Sequence, residues 1–205
     1  MAVVKPRDRE WWAVGHFDVC DAMTRLCEDI SRRHPEFGHV QMPRVAVTFA
    51  QARSPVHWGV QARLTPLRFE GGRTTEQRKG RLWTVQKVVH RGQEALYVLT
   101  FLLPRFLNLP FDEKLVTVFH ELYHISPDFN GDIRRFEGAF YVHTGSQKNY
   151  DRQMGVFAEQ YLRLGAPEPL LSFLRHDFRS LQQQVGAVVG VRINLPRLIP
   201  VPKAG

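Results

Sequence analysis

The stretch Phe111-Asp-Glu-Lys-Leu-Val-Thr-Val-Phe-His-Glu-Leu-Tyr-His-Ile125 constrains this chain more than any other. Leu115, Val118, Phe119, Leu122 and Ile125 recur at spacings of three and four, the pattern of a helix with one buried face. Pro110 precedes it, and Asp112 and Glu113 place acidic groups in its first turn, where the helix dipole favours them. Ser126-Pro127-Asp128 stops it. Within this helix lies His120-Glu121-Leu122-Tyr123-His124, an H-E-x-x-H motif. Four residues are just over one helical turn, so both imidazoles project from one face and can hold one metal ion. Glu121 lies about 100° around the helix, where a carboxylate reaches a water on the metal without displacing it. Glu113 and Thr117 stand above the histidines on the same side. The bland alternative is two ordinary surface histidines, and the packed helix around them argues against it.

A catalytic zinc site usually takes three protein ligands and leaves a fourth position for water. The extension H-E-x-x-H-x-x-G-x-x-H fails here, because Pro127 stands at its Gly position and Asn130 at its His position. His143, in Phe140-Tyr141-Val142-His143-Thr144-Gly145, is the leading third candidate. The chain between it and His124 is long enough to leave the helix and return. Glu159 would instead give a two-His-one-Glu site, and Glu137 or an Asp of the 128–132 loop are further alternatives. With Zn2+ in place, Glu121 would take the proton of the attacking water and return it to the leaving amine. The ligands must be neutral imidazoles, so metal affinity should fall as the pH drops through the histidine range. Tyr141 and Tyr150 are candidate donors to the developing oxyanion, each with a packing role as the plainer reading.

Residues His120 to Asp151 resemble the phage-type metallopeptidases and, more distantly, the SprT-like zinc proteases. The features carrying the resemblance are H-E-L-Y-H at 120–124, the Gly131-Asp132 turn with Arg134-Arg135 after it, and a later His followed by Ser146 and Tyr150-Asp151. In SprT-like proteins a third histidine follows the motif after a loop, which implies that role for His143. In that family Gly follows the histidine directly, whereas here Thr144 intervenes before Gly145 and the loop is longer. The resemblance implies a zincin-like fold in which an edge strand along the cleft binds substrate backbone by strand addition. Ala95–Leu103, just before the metal helix, is the candidate strand, with a plain core strand as the equal alternative.

The rest of the chain suits an α+β protein. Its 205 residues are enough for a proper core and are read as one domain, 1–205. The predicted order is an N-terminal helix over about 16–34, a mixed three- to four-stranded sheet over about 44–103, the metal-site helix over about 111–125, and a helical part over about 147–184. A tail, 185–205, forms a last strand or an extended arm. Alternation marks strands over 44–49 and 58–65. A third, over 82–90, is expected to turn through Arg91-Gly92-Gln93 and form a hairpin with the fourth, Ala95–Leu103. That fourth run is continuously apolar, as expected of a strand covered on both faces. Helices are expected over 147–164, ended by Gly165-Ala-Pro, and over 168–184.

Cys20 and Cys27 share a helix face with Met23 and Ile30 and read as buried reduced thiols. Neither a secretory signal nor a membrane-length apolar run is visible, so a cytoplasmic protein without a membrane partner is expected. Asp128-Phe-Asn130-Gly-Asp132 begins like a calcium loop, but Ile133 and Ala139 occupy the positions that need Gly and Glu. No sequence feature sets an oligomeric state.

Net charge is +8. Arg63, Arg68, Arg73, Arg78, Lys79, Arg81, Lys87 and Arg91 crowd the 63–91 region, partly in the 71–80 loop, and could grip nucleic-acid phosphates. The simpler reading is a solvated basic loop, with Trp58 and Trp83 in strand patterns. Two functions follow. One is a zinc-dependent metallopeptidase acting on protein or peptide substrates, near nucleic acid. The other is a catalytically inactive zincin-scaffold protein that binds nucleic acid or protein partners through its basic surface. The intact Glu121 favours the first, since a structural site needs no general base.

Overall fold

A computed structural model describes residues 15–52, 59–135 and 147–202. In chain order the strand β1 (His16–Asp18) leads into helix α1 (Val19–Arg33), then β2 (Val45–Gln51) and β3 (Ala62–Pro66). Four short strands follow: β4 (Thr75–Arg78), β5 (Arg81–Val85), β6 (Val89–His90) and β7 (Gln93–Glu94). Then come β8 (Tyr97–Leu103), α2 (Phe111–Tyr123), α3 (Gln147–Arg163), α4 (Glu168–Leu171), α5 (Phe178–Val185), β9 (Ala187–Val189) and β10 (Leu198–Pro200). The class is α+β, with mixed sheets.

The central sheet has the order β2-β8-β3, with β2 parallel and β3 antiparallel to β8. Tyr97, Leu99, Phe101 and Leu103 of β8 join Val45 and Val47 of β2 in the main core, beneath α1, α2 and α3. The opposite face presents Ala46 and Val98 to Val85, Val88 and Ile193. Both faces of β8 are therefore covered, which is why its sequence is continuously apolar. Thr48 sits on the second face with its hydroxyl satisfied: it donates to the Val191 carbonyl and accepts from the Ile193 N–H. In this way the C-terminal segment caps the outer edge of β2, helped by the Phe49 N–H, which donates to the same Val191 carbonyl.

Two sequence expectations are corrected. The strand expected over 82–90 breaks after Val85, and β5 joins β4 and β10 in a separate three-stranded antiparallel sheet. Only β6 and β7 pair across the Arg91-Gly92 turn, whose positive φ angles suit a two-residue hairpin. The long hairpin cannot form because β2 and β3 already occupy both edges of β8. For the same reason β8 is a core strand and offers no edge to a substrate; the exposed edge belongs to β3. The helix expected over 168–184 is also divided. A 3-10 turn, Ser172–Arg175, follows α4, and Asp177 starts α5 as its N-cap, accepting from the Ser180 N–H.

Buried polar groups tie the helices down. Asp29 of α1 accepts hydrogen bonds from Arg33 and from the Tyr161 hydroxyl of α3. Burial alone would raise its pKa, but these donors outweigh burial and hold it below the usual carboxylate value. Lys114 of α2 is only 2% exposed, and its ammonium donates to the carbonyls of Leu174 and His176, clamping α2 to the end of the 3-10 turn. Burial lowers its pKa to about 8. Cys20 and Cys27 are buried free thiols, with pKa values pushed up to about 12 by desolvation.

Removing the Asp29 carboxylate leaves the Tyr161 hydroxyl without its acceptor, so Asp29→Ala should cost about 2 kcal/mol in urea denaturation. The depressed native pKa means that the unfolded state binds more protons on acidification. The contribution of Asp29 is thus complete above the unfolded carboxylate pKa and is lost as pH falls through the lower native value. The stability gap between wild type and Asp29→Asn should narrow over that acid window, as followed by denaturation at stepped pH.

Candidate metal centre and substrate cleft

Helix α2 buries Leu115, Val118, Phe119 and Leu122 against the core. That rotation leaves Glu113, Thr117, His120 and His124 on the opposite side, spaced 4, 3 and 4 residues apart along one face. The helix ends at Tyr123, and His124 is its C-cap with right-handed helical φ and ψ of −68° and −16°. The one-turn relation of the histidines survives: their ring centroids are 4.7 Å apart. Tyr150 of α3 packs against both, edge-on to His120 at 4.8 Å and stacked on His124 at 5.9 Å.

The end of α2 is braced by Arg134. Its backbone N–H donates to the His124 carbonyl at 2.7 Å, and its Nε donates to the Tyr123 carbonyl at 2.9 Å. These are carbonyls that a helix terminus leaves without intrahelical donors. The guanidinium also lies 3.9 Å from the Tyr123 ring centroid and pairs with Glu36. The bridge between Ile125 and Ile133 closes the loop that brings Arg134 back. Asp132 fixes that loop: its carboxylate accepts from the Gly71 and Ile133 N–H groups and from Arg135. This occupancy corrects the expectation that an Asp of the 128–132 loop could be a ligand, as far as Asp132 is concerned.

Glu121 is 7% exposed. Burial raises its pKa to about 7, opposed by a hydrogen bond from the Leu64 N–H of β3. A carboxyl poised there can take and return a proton near neutral pH. The pairing pattern explains the Leu64 contact. Gln61 and Leu67 exchange hydrogen bonds with Leu102 and Leu96, so the odd-numbered residues of β3 face β8. The N–H and C=O groups of Ala62 and Leu64 consequently point outward, toward α2 and the cleft.

That cleft, about 670 Å³, runs between the start of β3 and the polar face of α2. Gly59 and Ala62 form one wall, Glu113, Thr117 and His120 the other, and Asp151 of α3 closes one side. Asp151 Oδ1 lies 3.8 Å from Nδ1 of His120, close enough for electrostatic attraction. Arg105 braces the far wall, its Nη1 donating to the Val60 carbonyl. Gly59 has φ +109°, a backbone conformation that favours glycine, and the Arg105 guanidinium packs against it.

The structure thus places His120 and Glu121 in the lining of the cleft, with the His124 ring against His120. His143, Tyr141, Glu137 and Trp58 lie outside the described residues. Among the described residues no group of three metal-binding side chains occurs. Glu159 projects to solvent, 70% exposed and paired with Arg163. The site residue that sequence reasoning passed over is Asp151. It stood beside Tyr150 in the quoted motif, and helical spacing from Met154 and Ala158 inward could have turned it toward His120.

The basic 63–91 region is partly neutralised, five of its eight cations sharing three carboxylates. Arg68 and Lys87 pair with Glu94, Arg73 and Arg78 with Glu76, and Arg91 with Asp21. Among the described residues Lys79 and Arg81, at the tip of the β4–β5 hairpin, carry no ion pair.

Two imidazoles and a buried carboxyl beside the outward edge of a mixed sheet are compatible with a metallopeptidase domain of α+β type. The family model described as putative phage metallopeptidase matches residues 16–156, and the chain belongs to that family. No curated protein and no solved structure matches it. Membership supports a peptidase, a hydrolase that acts on proteins or peptides with the help of a metal ion. Among the described residues no helix is long and apolar enough to cross a membrane.

Arg134→Ala removes two helix-end contacts at once, the Tyr123 carbonyl bond and the ring stack, and should lower stability by about 2 kcal/mol in chemical denaturation. Arg134→Lys should recover little, because a lysine cannot present a planar fork to ring, carbonyl and carboxylate together.

Proposed function

We propose that the protein is a zinc-dependent peptidase in which His120, His124 and His143 hold the metal and Glu121 is the general base. The observation that carries this reading is the placement of Glu121. A carboxyl of raised pKa sits beside two ligand-competent imidazoles, at the end of a cleft bordered by outward-facing strand amides. Two imidazoles on one face with room for a further ligand suit zinc by donor chemistry. Zinc, when bound, supplies an electrophile that acidifies a water and polarises a carbonyl.

The chain's own groups do the rest. The outward N–H and C=O of Ala62 and the C=O of Leu64 pair with an extended substrate backbone, so strand addition to β3 holds the scissile amide in front of the histidines. The Leu64 N–H orients the Glu121 carboxylate, which removes a proton from the attacking water and delivers it to the leaving amine nitrogen. Asp151 draws on the Nδ1 side of His120, which favours the ring orientation that leaves Nε2 for the metal. Tyr150 closes the ring cluster from behind.

A second reading keeps the scaffold and drops the catalysis: an inactive zincin that binds nucleic acid or a protein through its basic surface. Lys79 and Arg81 at the hairpin tip favour it, and the retained Glu121 speaks against it. A cytoplasmic location belongs to the proposal in either form.

Glu121→Gln should retain zinc by metal analysis and lose at least ~100-fold in hydrolysis of an unfolded protein substrate. An unchanged rate would rule out the proposed base. His120→Ala, His124→Ala and His143→Ala should each lower zinc affinity, measured with a competing chelator. Unaltered affinity in His143→Ala would reassign the third ligand. Zinc retained without hydrolysis, together with salt-sensitive nucleic-acid binding that requires Lys79 and Arg81, would favour the second reading.

A further inference from the structure

The cleft beside His120 differs in charge from the molecule around it. The chain carries +8, yet the described residues lining the cleft include Glu113, Glu121 and Asp151 and neither lysine nor arginine. Arg105 stands behind Gly59 with its Nη1 committed to the Val60 carbonyl. Glu113 lies two helical turns before His120 on the same face of α2, about 10 Å along the axis. It is exposed, and among the described residues its carboxylate takes part in no ion pair. Thr117 lies between the two positions, and the half-buried Leu109 and Val116 add aliphatic surface to the same cleft.

A substrate strand on the β3 edge sends alternate side chains toward α2. A side chain leaving the backbone near His120 and running toward the start of α2 passes Thr117 and the aliphatic surface of Val116 before it meets Glu113. An apolar stem followed by a carboxylate at that distance is complementary to a long side chain with a methylene stem and a cationic head. A shorter side chain would cover the aliphatic surface and leave Glu113 unmet, and an acidic one would be repelled by both Glu113 and Asp151.

Resting on the peptidase reading above, we infer that this cleft selects lysine or arginine close to the scissile bond, with Glu113 as the residue that recognises the cation. The overall positive charge acts in the opposite direction, so a preference for basic residues must arise locally. Glu113 touches neither the metal ligands nor the reacting atoms and acts on specificity alone.

The test uses the zinc-loaded full chain and unstructured peptides in which lysine, norleucine or glutamate is walked through the positions around the cut bond. Lysine and norleucine share the stem and differ in charge, so the ratio of their kcat/KM values within one enzyme is independent of folding and metal content. At one position lysine should be cut roughly three- to tenfold faster than norleucine, with glutamate slowest. Glu113→Gln should bring the lysine-to-norleucine ratio toward one, and Glu113→Lys should move the preference toward glutamate. Cleavage without charge preference, or a preference that persists in Glu113→Gln, would overturn the inference and leave the peptidase reading standing. If the loaded protein cuts none of the peptides, the peptidase reading falls. The cleft is then judged by fluorescence anisotropy of the labelled lysine and norleucine peptides: tighter binding of lysine that depends on Glu113 supports it, and equal binding ends it.

Discussion

The rotation of α2 about its own axis governs the whole site. Leu115, Val118, Phe119 and Leu122 are each almost completely buried, and no other orientation of the helix hides all four. Lys114 reinforces the choice from the adjacent position, because its buried ammonium finds its two carbonyl acceptors only in this setting. Once the apolar face is fixed, Glu113, Thr117 and His120 must face the cleft with His124 one turn further on, and Glu121 must fall at the boundary between cleft and core. The spacing of the two imidazoles and the burial of Glu121 are consequences of hydrophobic packing behind them. The stiffness of that packing is what allows two imidazoles to be held together before any ion arrives.

The boundary position of Glu121 carries a cost. Desolvation disfavours its charged form, and the Leu64 N–H offsets only part of this. The same amide belongs to the outward edge of β3, so one strand both hydrogen-bonds Glu121 and leaves its neighbouring amides facing the cleft. Displacement of β3 would disturb both. Several contacts hold the strand in place: β8 along its inner edge, the Arg68 N–H on the Gly131 carbonyl beyond its end, and Arg105 on the Val60 carbonyl before its start.

What was legible in the sequence followed from local rules. The α2 stripe, the H-E-x-x-H spacing, the helix around Cys20 and Cys27, and the alternation of Val45, Val47 and Phe49 all report residues whose neighbours in space are also near in sequence. The strand topology was not legible in this way. Arg91-Gly92 is a sound hairpin turn and does make one, but a turn sets only the first pairs; which strand lies beside β8 is decided by long-range competition. β2 and β3 win it because Val45, Val47, Ala62 and Leu64 add apolar surface to the core, whereas Arg81 and Leu82 of β5 are exposed. Asp151 and Glu159 show the same limit. Both are carboxylates on α3, and only the packing of Tyr150, Met154, Phe157 and Tyr161 against the core decides that the first reaches the cleft and the second faces water.

Charge counted along the sequence is only a partial guide. Of the eight cations between Arg63 and Arg91, the fold ties five to Asp21, Glu76 and Glu94 in ion pairs. Surface pairs of this kind contribute little stability, and with five cations shared among three carboxylates they reduce the local positive field without cancelling it. The cleft is a separate case: in a positively charged molecule, its described lining includes Glu113, Glu121 and Asp151 and neither lysine nor arginine. At distances beyond a Debye length, about 8 Å at physiological ionic strength, the overall charge is screened and the local groups dominate what a bound side chain feels. The sign of the cleft, and not the sign of the protein, is therefore the quantity that should set which residues are accepted next to the scissile bond.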